Sequence, residues 1–511
     1  MVIGIGVYLL SKGTGRTFIF DEWMFVADRH GFSPSSILPD HNGHLVALPA
    51  IVYMIVFETF GLNGYWFLAG LAVAAHLTAA SVIFAYVARR HTVFVGLAAG
   101  TLVALSGIGA ENYVWGFQIG FTGAVLSFIL AILAFDNREK SCRWRVGTCV
   151  LLVSGLCFSG VGVAALGAMA IVVLTSNRLR RDWWVVVVPA VLYALWYLGY
   201  AEQIPNARAS SGQILRFFLD GSSGSISGTF GVDLGWGRLA FGVLIAWVIV
   251  DWKRRGFDVR RYVWLVFSLV FWLITAYSRA GFGDALSSRY LWVGQICVVL
   301  TICELAKSGL GERGSRRCFV PSFALVVLLA FFGSRGAFDD NVRFQVSTEE
   351  VATVRSSIAS LNRDSIGADA PIHSIWGYTL IDTQEFFEAI DRFGVPRVFD
   401  SAELRATSAR RVATDVAMSD FGLMPIEPSN EPCSASSATT ELGVVDGVPV
   451  RFQVEETAEV EVQLRVFSMP ADGPEVPRRQ LAPGTYEAVI LGAFRDSPLS
   501  LTFSVPVVPC E

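Results

Sequence analysis

Four stretches of this chain put acids, amides, histidines and arginines beside aromatic rings. The first is Asp21-Glu22-Trp23, where two adjacent carboxylates follow an apolar segment. Desolvation and mutual repulsion at such a boundary lift one carboxyl toward the range of a general base, with the other as orienter or metal ligand. The alternative is a solvated acid pair beside an interfacial tryptophan. The second stretch is Asp40-His41-Asn42-Gly43-His44. Its histidines share a face if the segment is helical, while Pro39 and Gly43 favour a turn or a helix entry. A divalent metal held by His41 and His44 with Asp21, Glu22 or Asp40 is one reading, although the spacing is no zinc signature. Hydrogen bonding to a sugar or phosphate is another.

The third stretch runs from Glu111 to Gln118 and includes Asn112, Tyr113, Trp115 and Phe117. Rings that stack on sugar faces, with Glu111 and Gln118 bonding hydroxyls, suit carbohydrate; an ordinary aromatic belt gives the same composition. In the fourth, Arg279 and Arg289-Tyr290 bracket a loop holding Gly281, Gly283 and Asp284. The permanently charged, forked guanidinium matches phosphate oxygens, and the glycines suit close backbone approach. Snorkelling of both arginines to lipid headgroups is the competing explanation.

These stretches must be positioned by membrane helices. Hydrophobic residues make up 53% of the 511, charged residues only 16%, and mean hydropathy is +0.51. Apolar runs of about 20 residues recur before residue 335, too many for a soluble core. The runs are read as spans over 2–18, 65–88, 92–109, 119–135, 146–159, 160–176, 183–201, 237–252, 262–279, 290–306 and 318–334, about eleven in all. Five basic clusters lie between them: Arg89-Arg90, 137–145, 177–181, 252–261 and 307–317. Short Lys/Arg-rich loops stay cytoplasmic, so the four chemical stretches face outward and the N-terminus inward. That assignment holds if 46–62, which contains Glu58, lies in the interface rather than crossing. Residues 19–64 and the Gly/Ser-rich 202–236 are then large outer loops. The 2–18 span is the weakest, because Met1–Leu10 is about 15 Å long and extension would draw in Lys12 and Arg16.

Hydropathy drops after Ser334. Helical periodicity appears over 347–362, with Val351, Val354, Ile358 and Leu361 on one face. Alternating strands follow at 450–454, 460–467, 486–491 and 499–505. The chain thus reads as a polytopic α-helical domain, 1–334, followed by an extracytoplasmic α+β or β-sandwich domain, 335–511. Of eight cysteines, Cys142, Cys149, Cys157, Cys297, Cys303 and Cys318 sit in spans or their cytoplasmic ends and read as inert thiols. Cys433 and Cys510 are alone in the polar region, where a disulfide is expected. His76, inside a span, reads as a hydrogen-bonded helix contact. The net charge of −4 and the lack of a long basic run argue against nucleic acid.

The Asp-Glu-Trp, His-Asn-Gly-His, Trp-Gly-Phe-Gln and Ser-Arg-Tyr pieces, in this order over about 15–300, resemble a bacterial branch of the GT-C superfamily of integral-membrane glycosyltransferases. Protein O-mannosyltransferases and aminoarabinose transferases share that plan. The resemblance implies sugar transfer, with inversion, from a polyprenyl-phosphate sugar to a glycan, lipid or protein acceptor on the outer face of a bacterial plasma membrane. It places Asp21 as the base-bearing acid with Glu22 beside it, and the C-terminal domain has no counterpart motif. A transporter or flippase of lipid-linked saccharides is the alternative; inverted repeats and midplane charges would mark it, and neither is visible. A scaffold that binds glycan through its C-terminal domain is a third reading.

Overall fold

The computed structural model describes the chain apart from residues 1, 13–15, 176–178, 202–208, 257, 284, 307–315, 376–377, 432, 434–436, 445–447, 456–459, 469–477 and 511. The early helices are α1 (Val2–Ser11), α2 (Asp21–Asp28), α3 (Pro34–Ile37), α4 (Ala47–Phe60), α5 (Tyr65–Arg90), α6 (Val93–Leu105) and α7 (Glu111–Val114). Next come α8 (Ile119–Asp136), α9 (Cys142–Phe158), α10 (Val161–Leu174), α11 (Leu179–Asp182), α12 (Trp184–Tyr200), α13 (Ser211–Phe230) and α14 (Leu234–Arg255). The last of the apolar series are α15 (Val263–Arg279), α16 (Ser288–Ala306) and α17 (Arg316–Gly333), after which α18 (Arg335–Leu361) leads into the polar region.

Each of the eleven expected spans is a helix in whole or part. The 2–18 segment is the exception in length: α1 stops at Ser11, and Thr17–Ile19 are not helical. By length and composition, Ala47–Arg90, Gly116–Asp136, Leu234–Arg255, Val259–Arg279 and Ser288–Ala306 suffice to cross a membrane. Shorter apolar helices cover 93–105, 161–174 and 184–200. This is a polytopic membrane protein.

The chain packs as two units. The first comprises Met1–Thr14, Arg29–Val56 and Trp66–Val346; the second comprises Gly15–Asp28, Phe57–Tyr65 and Ser347–Glu511.

In the first unit, ion pairs gather the basic loops at one end of the bundle. Arg90 pairs with Asp136 and, at 3.1 Å, with Glu304. Arg138 pairs with Asp182 at 3.0 Å, and Asp251 holds Arg261 at 3.1 Å and Arg255 at 3.3 Å. From this end α5 leads back about 36 Å to Trp66, at about 1.5 Å per residue. Trp66 therefore lies at the opposite end, where α4 also begins, beside the 40–44 turn. Both ends of the 47–66 stretch share one end of the bundle, so α4 does not cross it. Its 14 residues, about 21 Å, would not span a bilayer core of about 30 Å.

The 202–236 segment corrects the sequence reading. It was expected as a loop, and 211–230 is a 20-residue helix, α13. Gly221 faces the Trp272 ring, Gly294 of α16 faces Ser225, and Gly237 of α14 faces Ser223 and Ser227. Small residues let helices approach closely where lipid offers no hydrophobic drive. Ser210 and Gln213 close a capping box at its start, and Gly231 (φ +62°) ends it. His76 meets its expectation: Nε2 lies 3.3 Å from the Ala104 carbonyl.

The second unit is α+β. A hairpin of β1 (Pro371–Ile375) and β2 (Tyr378–Asp382) packs with α2 and α19 (Thr383–Phe393). After α20 (Ser401–Arg405) and α21 (Ser408–Asp420) comes an antiparallel sheet. Its strands are β3 (Ile426–Pro428), β4 (Thr439–Val444), β5 (Val450–Val454), β6 (Val460–Arg465), β7 (Arg478–Leu481), β8 (Gly484–Ala488) and β9 (Leu499–Pro509). The order is β3-β8-β5-β9-β6-β7, with β4 also on β9. The expected strands fall on β5, β6, β8 and β9.

The 347–362 helix is the C-terminal part of α18. Val354 and Ile358 are buried as expected, while Val351 and Leu361 are exposed. Ala352, Ser356, Ser357 and Ala359 fill the buried face instead. Cys433 and Cys510 form the expected disulfide. Cys142, Cys149, Cys157, Cys297 and Cys303 are free; the side chain of Cys318 lies outside the described residues.

Candidate functional site

The end of the bundle opposite the basic loops carries most of the candidate residues. Asp40–His44 is a tight hairpin turn, not a helix. His41 and His44 exchange both backbone hydrogen bonds at 3.0 Å, and Asn42 (φ +52°) and Gly43 (φ +75°) occupy the left-handed region. Positive φ at both central residues is what Asn-Gly supplies in a type I′ turn. Asp40 Oδ2 accepts the Gly43 N–H at 2.7 Å. The two histidines thus face each other across a two-residue ladder.

Arg29 anchors this turn, and the sequence reading did not single it out. Its buried guanidinium donates to the carbonyls of Ser36 (3.0 Å), Pro39 (3.0 Å) and Asp40 (3.1 Å). A solitary arginine inside an outer loop was the available signal. His41 lies against Phe117, centroids 5.2 Å apart, which ties the turn to the 111–118 stretch. Gly160 fits over the His44 ring: a Cβ there would sit 2.7 Å from Nδ1.

Burial, then the nearby positive charge of Arg279, push His44 down to about 4, against a smaller upward pull from Asp40. His44 is therefore a neutral imidazole at pH 7. Arg279 ends α15 half-buried, with Phe282 at 5.9 Å from its guanidinium carbon. Its guanidinium has no carboxylate or hydrogen-bond partner among the described residues. Asp284 lies outside them.

Arg289 is placed differently. Its Nη1 donates to Glu111 Oε1 at 3.0 Å, and its backbone N–H to Glu111 Oε2 at 3.2 Å. Ser287 Oγ and Gln118 Nε2 also donate to this carboxylate, at 3.3 and 3.5 Å. The Glu111 N–H donates to Ser288 Oγ at 3.2 Å, and Asn112 Nδ2 to the Arg289 carbonyl at 3.4 Å. Glu111 is the hub that joins α7 to the start of α16. Asn112 and Ser288 read as members of two separate stretches, and Ser287 escaped the sequence reading, because this pairing bridges nearly 180 residues.

Trp115 is buried and stacks on Phe117 at 5.2 Å. Tyr290 is buried near Phe121 (6.0 Å) and Phe271 (6.5 Å). Both rings are buried among other aromatic rings, and the Gln118 amide is buried with its hydrogen bond to Glu111.

The acid pair belongs to the second unit. Phe20 takes a left-handed conformation (φ +48°), costly for a bulky residue, and turns the chain into α2. Glu22 is fully buried, and its Oε2 accepts the Ile19 N–H at 3.0 Å, a reach-back cap. Trp23 donates to the Phe18 carbonyl at 2.9 Å and stacks on His373 at 4.6 Å. Asp21 is half-buried at the start of α2, where the helix dipole favours a carboxylate. Glu58 pairs with Arg392 at 3.3 Å in the same unit, which relieves its cost in an apolar stretch.

No three His, Cys, Asp or Glu side chains among the described residues gather with metal-ligand geometry.

No known family and no curated protein matches this sequence. A solved structure with a similar course is the crystal structure of ArnT from Cupriavidus metallidurans bound to undecaprenyl phosphate. It is 11% identical, with 83% of this chain and 91% of that one covered, at a TM-score of 0.46. A likeness this loose assigns neither fold nor function.

Proposed function

We propose that this protein is a membrane glycosyltransferase that moves a sugar from a polyprenyl-phosphate donor to a glycan, lipid or protein hydroxyl on the outer side. The reading rests on Arg279. A half-buried guanidinium without an acidic partner among the described residues is costly unless an anion completes it. The adjacent neutral His44 supports a phosphate at this place, since a second cation would not be stable there and an imidazole still hydrogen-bonds. In the reaction, the acceptor oxygen attacks the anomeric carbon. The bond from that carbon to the phosphate oxygen breaks, and its electron pair leaves with the phosphate at Arg279. The configuration inverts, and the acceptor proton passes to a general base, the role that the GT-C resemblance assigns to Asp21. Glu22 is assigned to holding the entry to α2, and Arg289 to positioning Glu111. The reading takes no step through a divalent ion. By the loop-charge rule, the N-terminus is cytoplasmic and the C-terminal domain extracytoplasmic.

Proteoliposomes given labelled polyprenyl-phosphate sugars and candidate acceptors test this. Release of polyprenyl phosphate with formation of a labelled glycoside is expected. Passage of label across the bilayer with the sugar–phosphate bond intact would replace the reading with a transporter.

A further inference from the structure

The basic end of the bundle contains a cavity of about 460 Å³ that the transfer reaction does not use. Four arginines line it: Arg90, Arg255, Arg260 and Arg261. Three of them have partners. Arg90 is held by Asp136 and Glu304, and Arg255 and Arg261 share the buried Asp251. Arg260 stands apart. Its backbone N–H goes to Asp258 Oδ1 at 3.1 Å, but its guanidinium has no hydrogen-bond or ion-pair partner among the described residues. Arg261 donates from Nη1 to Asp251 at 3.1 Å and also interacts with Tyr262. Apolar side chains, including Ile132, Phe135, Val172 and Val263, form the rest of the lining.

We infer that this cavity binds a phosphate-bearing group, with Arg260 as its principal contact. Guanidinium forks match phosphate oxygens. The apolar wall suits the glycerol or acyl carbons of a lipid, and basic pockets between helices at the cytoplasmic side are where anionic headgroups collect. The loop-charge rule assigns this end to the cytoplasm. The acidic groups within the lining, Asp136, Asp258 and Glu304, keep its charge modest, so a single phosphate fits better than a polyphosphate.

The test uses the full chain in neutral detergent, titrated with phosphatidylglycerol or with inorganic phosphate against chloride of equal ionic strength, following the unfolding midpoint. Wild type is compared with Arg260→Glu, Arg260→Gln and Arg495→Glu, an exposed position that controls for net charge. A saturable rise is expected in wild type and Arg495→Glu, with half-saturation shifted at least about tenfold in both Arg260 variants. A response to phosphatidylglycerol alone identifies a lipid headgroup as the source; a response to inorganic phosphate identifies a soluble ligand. Equal responses in all four proteins, or none in wild type, would overturn the site. Transfer activity plays no part in this readout, so it stands or falls independently of the reaction proposed above.

Discussion

Arg279 and Arg289 look equivalent in sequence, and the structure gives them different work, which a double-mutant cycle can measure. Glu111→Gln keeps the size of the side chain and Arg289→Gln shortens it, and each removes the charge. The Glu111 carboxylate accepts from Arg289 twice, from Ser287 and from Gln118. The side chains of Arg289 and Glu111 are 30% and 19% exposed. Fully exposed pairs contribute about 0–1 kcal/mol, while hydrogen bonds to charged groups reach about 1.5–3 kcal/mol. A partly screened pair between these limits should show a coupling of about 1–2 kcal/mol. Each single variant should lose about that much or slightly more, because the remaining partner stays half-buried. Urea unfolding of wild type, both singles and the double in one detergent gives the coupling directly. Donor-lipid binding measured on the same proteins completes the test. Arg289→Gln should leave it within about threefold, whereas Arg279→Ala should weaken it at least about tenfold. A coupling near zero, together with equal binding losses in the two arginine variants, would refute the division of labour.

Other outcomes follow from the same structure. His44 is held at about 4 against 6.5 when unfolded, so its contribution is full above pH 6.5 and lost as pH falls toward 4. At a half-buried site the loss is roughly 1–2 kcal/mol, and His44→Gln should flatten stability between pH 6.5 and 4 in equilibrium unfolding. Reducing Cys433–Cys510, which closes a separation of 77 residues, should destabilise the second unit by about 4–5 kcal/mol on the chain-entropy account; native-membrane protein should show neither thiol to alkylating reagents. Gly221→Leu would drive a side chain into Trp272 and cost about 1–3 kcal/mol, visible as a lower unfolding midpoint.

Much of this architecture is legible in the residues, because hydropathy and turn chemistry are local. Apolar runs found their helices, alternation found β5, β6, β8 and β9, and Pro39 with Gly43 pointed to a turn or a helix entry, of which the structure has the turn. The segment 211–230 was misread for a physical reason: Gly221-Ser-Ser-Gly-Ser-Ile-Ser-Gly228 has the composition of a loop, yet small residues are what a tightly packed membrane helix needs. The Glu111–Arg289 pairing is non-local, so two stretches that read as separate ligand contacts proved to be each other's partners. Glu22 reads as half of an acid pair, but only its buried hydrogen bond to Ile19 reveals a structural use. The joining of 15–28 and 57–65 with the C-terminal unit likewise depends on tertiary packing that no window of sequence contains.

The central claim is that the chain transfers a sugar with Asp21 as base. Asp21→Asn keeps the shape of the side chain and removes the proton acceptor. In reconstituted transfer with a polyprenyl-phosphate sugar, turnover should fall by about 10²–10⁴-fold while donor binding stays near the wild-type value. Full transfer activity in both Asp21→Asn and Glu22→Gln would contradict the account and leave the acid pair as a feature of the fold.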